Sequence, residues 1–208
     1  MKKVITLITI SLIMFFLGRV TNDNIFSSQT QSTEDITTSY TIDGSYDSSI
    51  QVNYESDAVY INKKFRPSMS TSKIKHLLIY IDGLCKHYDL NYNLVKSVIS
   101  TESAWNYKAK SRVGALGLMQ IMKSCAKDYK TPHSEMYDPY VNITIGIKYL
   151  SKLNKRFEDT QTALVAYNEG PRHAERYKRE YIDNSRYVHK VVTHFLTFEP
   201  MEGLAYND

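Results

Sequence analysis

The chain has 208 residues, 42% of them hydrophobic, enough to bury one ordinary core and too few to spare for a second full domain. Its formal charge of +4 is scattered along the sequence, which excludes the clustered basic footprint of a nucleic-acid binder and suits contact with an anionic polymer. Tyrosine is abundant, at 17 residues against the single tryptophan Trp105, and its flat face with a hydroxyl serves sugar binding as readily as core packing.

The N-terminus, MKKVITLITISLIMFFLGR, places Lys2 and Lys3 before an apolar run from Val4 to Gly18, the order of an export signal. No small-residue cleavage site follows, and the run is shorter than the roughly 20 residues that cross a bilayer. Residues 1–20 are therefore either a cleaved signal or a retained membrane anchor, and contact with the membrane is expected only through them. No cysteine follows the run, which excludes a lipoprotein. Residues 21–72 are rich in Ser, Thr, Asp and Asn, a composition that buries too little apolar surface to offset its ordering entropy, and they read as a flexible tether. Two alternating pieces within it, SIQVNYE and AVYINKKF, read as short strands or as edges that add to a partner's sheet.

From residue 73 to about 200 the period becomes helical. Ile74, Leu77, Leu78, Ile81 and Leu84 recur on one face, and Asp138 followed by Pro139 opens a helix whose Ile143, Ile147, Leu150 and Phe157 fall in phase. Asp159 or Thr160 caps TALVAYNE, which Gly170-Pro171 ends, and Val188, Val191, Val192 and Phe195 mark a last helix. The fold class is mostly α.

The stretch ESAWNYKAKSRVGALGLMQIM, Glu102 to Met122, contains a single acid. Val95, Val98, Ile99 and Glu102 stand at i, i+3, i+4 and i+7, which places the carboxylate on the apolar face of a helix near its C-terminal end. Desolvation and the negative helix end both favour the protonated form there, so Glu102 is a candidate general acid. A carboxylate at a frayed helix end that simply reaches solvent is the competing explanation. Glycoside-cleaving enzymes usually pair two carboxylates, and here only one is on offer.

ESAWN at 102–106, GALGLMQIM at 114–122, AYNEG at 166–170 and SRYVHKVV at 185–192 together resemble the catalytic domain of the soluble lytic transglycosylases of bacterial cell walls, over roughly Tyr80 to Phe195. The resemblance implies a lysozyme-like helical domain with a two-lobed substrate cleft, related to goose-type lysozyme. It further implies cleavage of the β-1,4 bond between N-acetylmuramic acid and N-acetylglucosamine with no cofactor. In that family one glutamate serves as acid and then as base, and the substrate's N-acetyl group replaces the second carboxylate. Carried onto this chain, Glu102 is catalytic, while Ser111, Gln120, Tyr167 and Asn168 match positions that line the sugar cleft. Met119 and Met122 are expected to pack beneath it. The implied partners are peptidoglycan glycan strands; remodelling of the cell's own wall, service to an envelope-spanning secretion or conjugation assembly, and service to a phage are all compatible with the sequence.

Three departures stand out: Lys123 and Tyr107 where the family often has proline, and Asp183-Asn184-Ser185 where an acid-Thr-Arg sequence is usual, which bears on the cleft contacts of that block. The six histidines form no metal-ligand motif, so no metal is expected. Cys85 and Cys125 form either a disulfide or two free thiols. A hydrolytic muramidase and a catalytically silent wall-binding or assembly component are the alternatives to a lytic transglycosylase.

Overall fold

The computed structural model describes residues 44–45, 52–65 and 67–198. The expected export segment, most of the expected tether and residues 199–200 lie outside the described residues. Among the described residues there is no strand, and no helix is long and apolar enough to cross a membrane.

Helix α1 (Tyr54–Phe65) is followed by α2 (Thr71–Tyr88) and α3 (Tyr92–Ser103). A long loop leads to α4 (Lys123–Asp128), a 3-10 turn (His133–Tyr137) and α5 (Pro139–Phe157), and then to α6 (Thr160–Glu169). Two short helices, α7 (Pro171–Ala174) and α8 (Arg179–Asp183), precede α9 (Arg186–Phe198). The starts are set by side-chain caps. Ser70, Asn91, Asp138 and Asp159 each accept backbone N–H groups of the first turn, and Pro139 occupies a first-turn position where no N–H is needed. Gly170, at φ 94°, ends α6. The apolar faces read from sequence are buried: Ile74, Leu77, Leu78 and Ile81 of α2, and Ile143, Ile147 and Leu150 of α5.

Helix α3 lies in the middle of this core, and every residue from Tyr92 to Ser100 is buried. Helix α9 packs along it. The two run antiparallel, because the end of α3 meets the start of α9 at Glu102 and Tyr187, while Lys96 of α3 meets Phe198 at the far end of α9.

Helix α1 corrects two expectations. AVYINKKF is helical rather than extended, and the packed domain begins before Ser72, inside the stretch whose composition reads as a tether. Eight residues are too few to separate period two from period 3.6. Ala58 and Ile61 stand one turn apart and are both fully buried, with α1 packed on α2. Docking on that apolar neighbour selects the helix, which the isolated segment's sparse apolar content does not specify.

Candidate active site

Helix α3 ends abruptly beyond Glu102. Ala104 and Trp105 take consecutive left-handed conformations, φ 49° and 63°, which non-glycine residues adopt only when their surroundings hold them there. Trp105 provides that hold: it is fully buried, and its indole N–H donates to Ser100 Oγ at 2.9 Å. The sharp exit leaves Glu102 at the rim of the core, partly buried. Tyr187, from the first turn of α9, donates its hydroxyl to Glu102 Oε1 at 2.6 Å. Burial pushes the Glu102 carboxyl up from its ordinary 4.5 to about 7, and the Tyr187 hydrogen bond draws it partly back. Burial, not a neighbouring acid, is the source of the shift.

The loop between α3 and α4 follows directly on the helix end that carries this carboxyl. Gly117 N–H donates to Ala109 O, and Leu116 exchanges N–H···O bonds with Ile121, which closes the loop into a compact knot. Asn142 of α5, fully buried, is pinned inside it. Its Nδ2 donates to Leu116 O and Met136 O at 2.8 Å each, and its Oδ1 accepts the Met119 N–H at 2.8 Å. Gly117, at φ 75°, lies so close that a Cβ would stand 2.2 Å from Met136 O and 2.3 Å from Asn142 Nδ2, so no larger residue fits.

Each expected cleft residue has a definite place in this frame. Ser111 Oγ accepts the Ala115 N–H at 2.9 Å, which leaves its own proton available to a ligand. Gln120, at φ 49°, donates Nε2 to Gly117 O at 2.9 Å and to Ala109 O at 3.4 Å, so its amide nitrogen braces the loop and Oε1 remains as acceptor. Tyr167 donates its hydroxyl to Met119 O at 2.7 Å, with its ring beside Tyr149. Burial, and then the nearby Glu102 charge, raise the Tyr167 pKa well above its usual value. Asn168, the next residue, is exposed. Met119 is fully buried as expected, whereas Met122 is 41% exposed: it precedes α4 as an extended residue and turns away from the core.

Residues 79–189, just over half of the chain, match the profile of the Transglycosylase SLT domain. The chain belongs to that family. A transglycosylase of the Enterobacteria phage PRD1 is 41% identical over 94 residues, 45% of this chain and 35% of the phage protein. The soluble lytic murein transglycosylase of Salmonella typhimurium is 39% identical over 93 residues, 40% of this chain and 14% of that one. The chain thus spans much less than half the length of these relatives. The 70 kDa soluble lytic transglycosylase of Escherichia coli has a similar fold, with TM-score 0.51 at 22% identity over 68% of this chain and 28% of that one. In its complex with bulgecin A the corresponding values are TM-score 0.53, 24%, 68% and 28%. The mostly α, lysozyme-like fold is that of this family.

Two SLT-domain residues of this arrangement are not among the site residues expected from the sequence. Tyr187 lies in the SRYVHKVV block, whose resemblance marks the block without giving this side chain a task; despite the Asp183-Asn184-Ser185 departure, the block reaches Glu102. Asn142, an amide within an apolar helix face, is the kind of outlier that points to a buried polar role. Cys85 and Cys125 are both free thiols.

The Tyr187 bond has a measurable consequence. It favours the ionised carboxylate, so Tyr187→Phe raises the Glu102 pKa. A reaction that needs the protonated acid then keeps its rate to higher pH, and the alkaline limb of the kcat profile moves up by roughly one unit, the worth of one hydrogen bond to a charged group. A profile measured from pH 5 to 9 on both proteins checks this; a downward shift contradicts the assignment.

Proposed function

We propose that the protein is a peptidoglycan lytic transglycosylase, cleaving the β-1,4 bond between N-acetylmuramic acid and N-acetylglucosamine with formation of 1,6-anhydromuramic acid. The observation that carries this reading is a lone carboxyl held near neutral pKa by burial, with a tyrosine hydroxyl on one oxygen. Such an acid is protonated often enough at neutral pH to donate and ionised often enough to accept, so one residue can perform both proton transfers.

Glu102 gives its proton to the glycosidic oxygen as the bond to the muramic anomeric carbon breaks. With no second carboxylate among the described residues contributing to the electrostatics of Glu102, the substrate's own N-acetyl carbonyl stabilises the electron-poor carbon, an exception to the two-acid arrangement. The ionised Glu102 then takes the proton of the muramic 6-hydroxyl, whose oxygen closes the ring on the anomeric carbon. Atoms balance without water. Tyr187 orients the carboxylate through both steps, and the free proton of Ser111 is available to the N-acetyl carbonyl. Gln120 Oε1, Tyr167 and Asn168 line the sugar path between two lobes. The protein acts in the cell envelope on glycan strands, with residues 1–20 as signal or anchor and the polar stretch from residue 21 to about residue 43 as its tether, since Gly44 O already accepts the Asn91 N–H of the packed domain.

Mass analysis of products from purified wall tests the reading. Anhydro-muropeptides, each lighter by one water than its hydrolysed counterpart, are expected. Products that end only in reducing muramic acid establish a muramidase instead, and no release at all leaves the wall-binding alternative.

A further inference from the structure

Lys96 is the anomaly of α3. It is 1% exposed, on the same helix as Glu102 and six residues before it, and the chemistry proposed above gives it no task. A lysine so deeply buried needs its charge satisfied, and the structure supplies an enclosure from three elements. Nζ is 2.6 Å from Asp57 Oδ2 on α1. It also stands 4.3 Å from the ring centroid of Tyr92, on its own helix, and 4.4 Å from that of Phe198, the last residue of α9. Tyr92 adds its hydroxyl to the same Asp57 oxygen at 3.1 Å, and Tyr60 of α1 packs edge-on against Phe198 with centroids 5.6 Å apart.

This enclosure ties α3 to α9 at one end, and the Glu102–Tyr187 hydrogen bond ties the same two helices at the other. Between two antiparallel packed helices, a link at each end fixes both the slide and the roll of one along the other. Buried ion pairs contribute little net stability compared with apolar residues of equal volume, and their best-attested use is to fix register. Asp57 and Phe198 both lie outside residues 79–189, so this link is made by parts of the chain beyond the matched domain.

We propose that Lys96 and Asp57 are positioning residues: through the rings of Tyr92 and Phe198 they hold α3 in register with α9, so that Glu102 meets the Tyr187 hydroxyl. Helix α1 thereby becomes part of the catalytic apparatus without touching substrate. The inference rests on the reading of Glu102 as the acid and base, and it assigns to the buried pair the accuracy of that carboxyl's placement.

The test is a double-mutant cycle on the full chain. Lys96→Met with Asp57→Asn removes both charges of the pair together. Its melting temperature is expected to stay close to that of the parent, with kcat lowered about 10-fold or more and KM changed less than about twofold, the pattern of misplaced chemistry rather than lost binding. In a Tyr187→Phe background the same pair change is expected to cost little more, because the contact it serves is already gone. A folded pair variant with unchanged kcat, or losses that simply add in the combined variant, overturns the proposal. If the pair variant does not fold, Phe198→Leu, which leaves the ion pair intact and removes only the ring, runs the same cycle and decides. Glu102→Gln separates this inference from the reading beneath it. An active Glu102→Gln sinks the mechanism itself, whereas an inactive one alongside an additive cycle sinks only the positioning role.

Discussion

Glu102→Gln leaves the protein folded and lowers turnover on purified peptidoglycan by at least about 10²–10⁴-fold, the worth of one general acid–base role. The amide matches the carboxylic acid in size and still accepts the Tyr187 hydroxyl, but it has no acidic proton for the leaving oxygen and cannot take one from the 6-hydroxyl. Its effect on stability has a definite sign. The folded pKa of about 7 lies above the ordinary 4.5, so native protein holds this proton more tightly than the unfolded chain. Below pH 4.5 both states are protonated and the group contributes nothing. Between 4.5 and 7 ionisation increasingly favours the unfolded chain, and above 7 the full penalty, on the order of 3 kcal/mol, is present. The amide escapes that penalty, so the variant gains stability relative to the parent as pH rises from 5 to 8. Melting curves at those two pH values, beside turnover, check both halves. A folded variant with near-normal turnover removes Glu102 from the mechanism.

Asn142→Ala is the second large effect, and here the loss falls on stability first. One substitution strips hydrogen bonds from Leu116 O, Met136 O and the Met119 N–H, all in a buried setting. Leu116 O keeps the Ile121 N–H, but Met136 O and the Met119 N–H are left without that partner; each such buried group costs about 1–3 kcal/mol, so a loss of at least about 2 kcal/mol is expected, against a total stability of roughly 5–15 kcal/mol. For a domain of this size the melting temperature falls by on the order of 10 °C. Asn142→Asp does not rescue it, because a carboxylate presents an oxygen to two carbonyls where the amide presented N–H groups. Activity falls with it even well below the melting temperature, since the loop that carries Ser111 and Gln120 loses its central pin. Urea unfolding of both variants is the measurement, and midpoints indistinguishable from the parent contradict the account.

Local chemistry determined a good deal of this protein. Caps such as Asp138 with Pro139 act within one turn of backbone, and a stripe such as Ile74, Leu77, Leu78 and Ile81 is repeated often enough to fix its period, so these helices are readable without knowing their neighbours. The burial of Glu102 and its raised pKa were legible for the same reason: its phase with Val95, Val98 and Ile99 places it on a buried face, and desolvation there favours the protonated form. What the tertiary structure decided are contacts between residues far apart in sequence. Tyr187 reaches Glu102 from 85 positions away, and Asn142 reaches Met119 from 23. Helix α1 has only Ala58 and Ile61 fully buried, too thin a stripe to outweigh the polar composition around it until α2 offers a surface. Met122 looks apolar enough for the core, yet stands exposed because the turn into α4 points it outward. Lys96 is the sharpest case. A lysine in a helix reads as solvent-facing, because burying its charge is costly; the arrival of Asp57 from one helix and Phe198 from another, neither adjacent in sequence, helps make that burial tolerable.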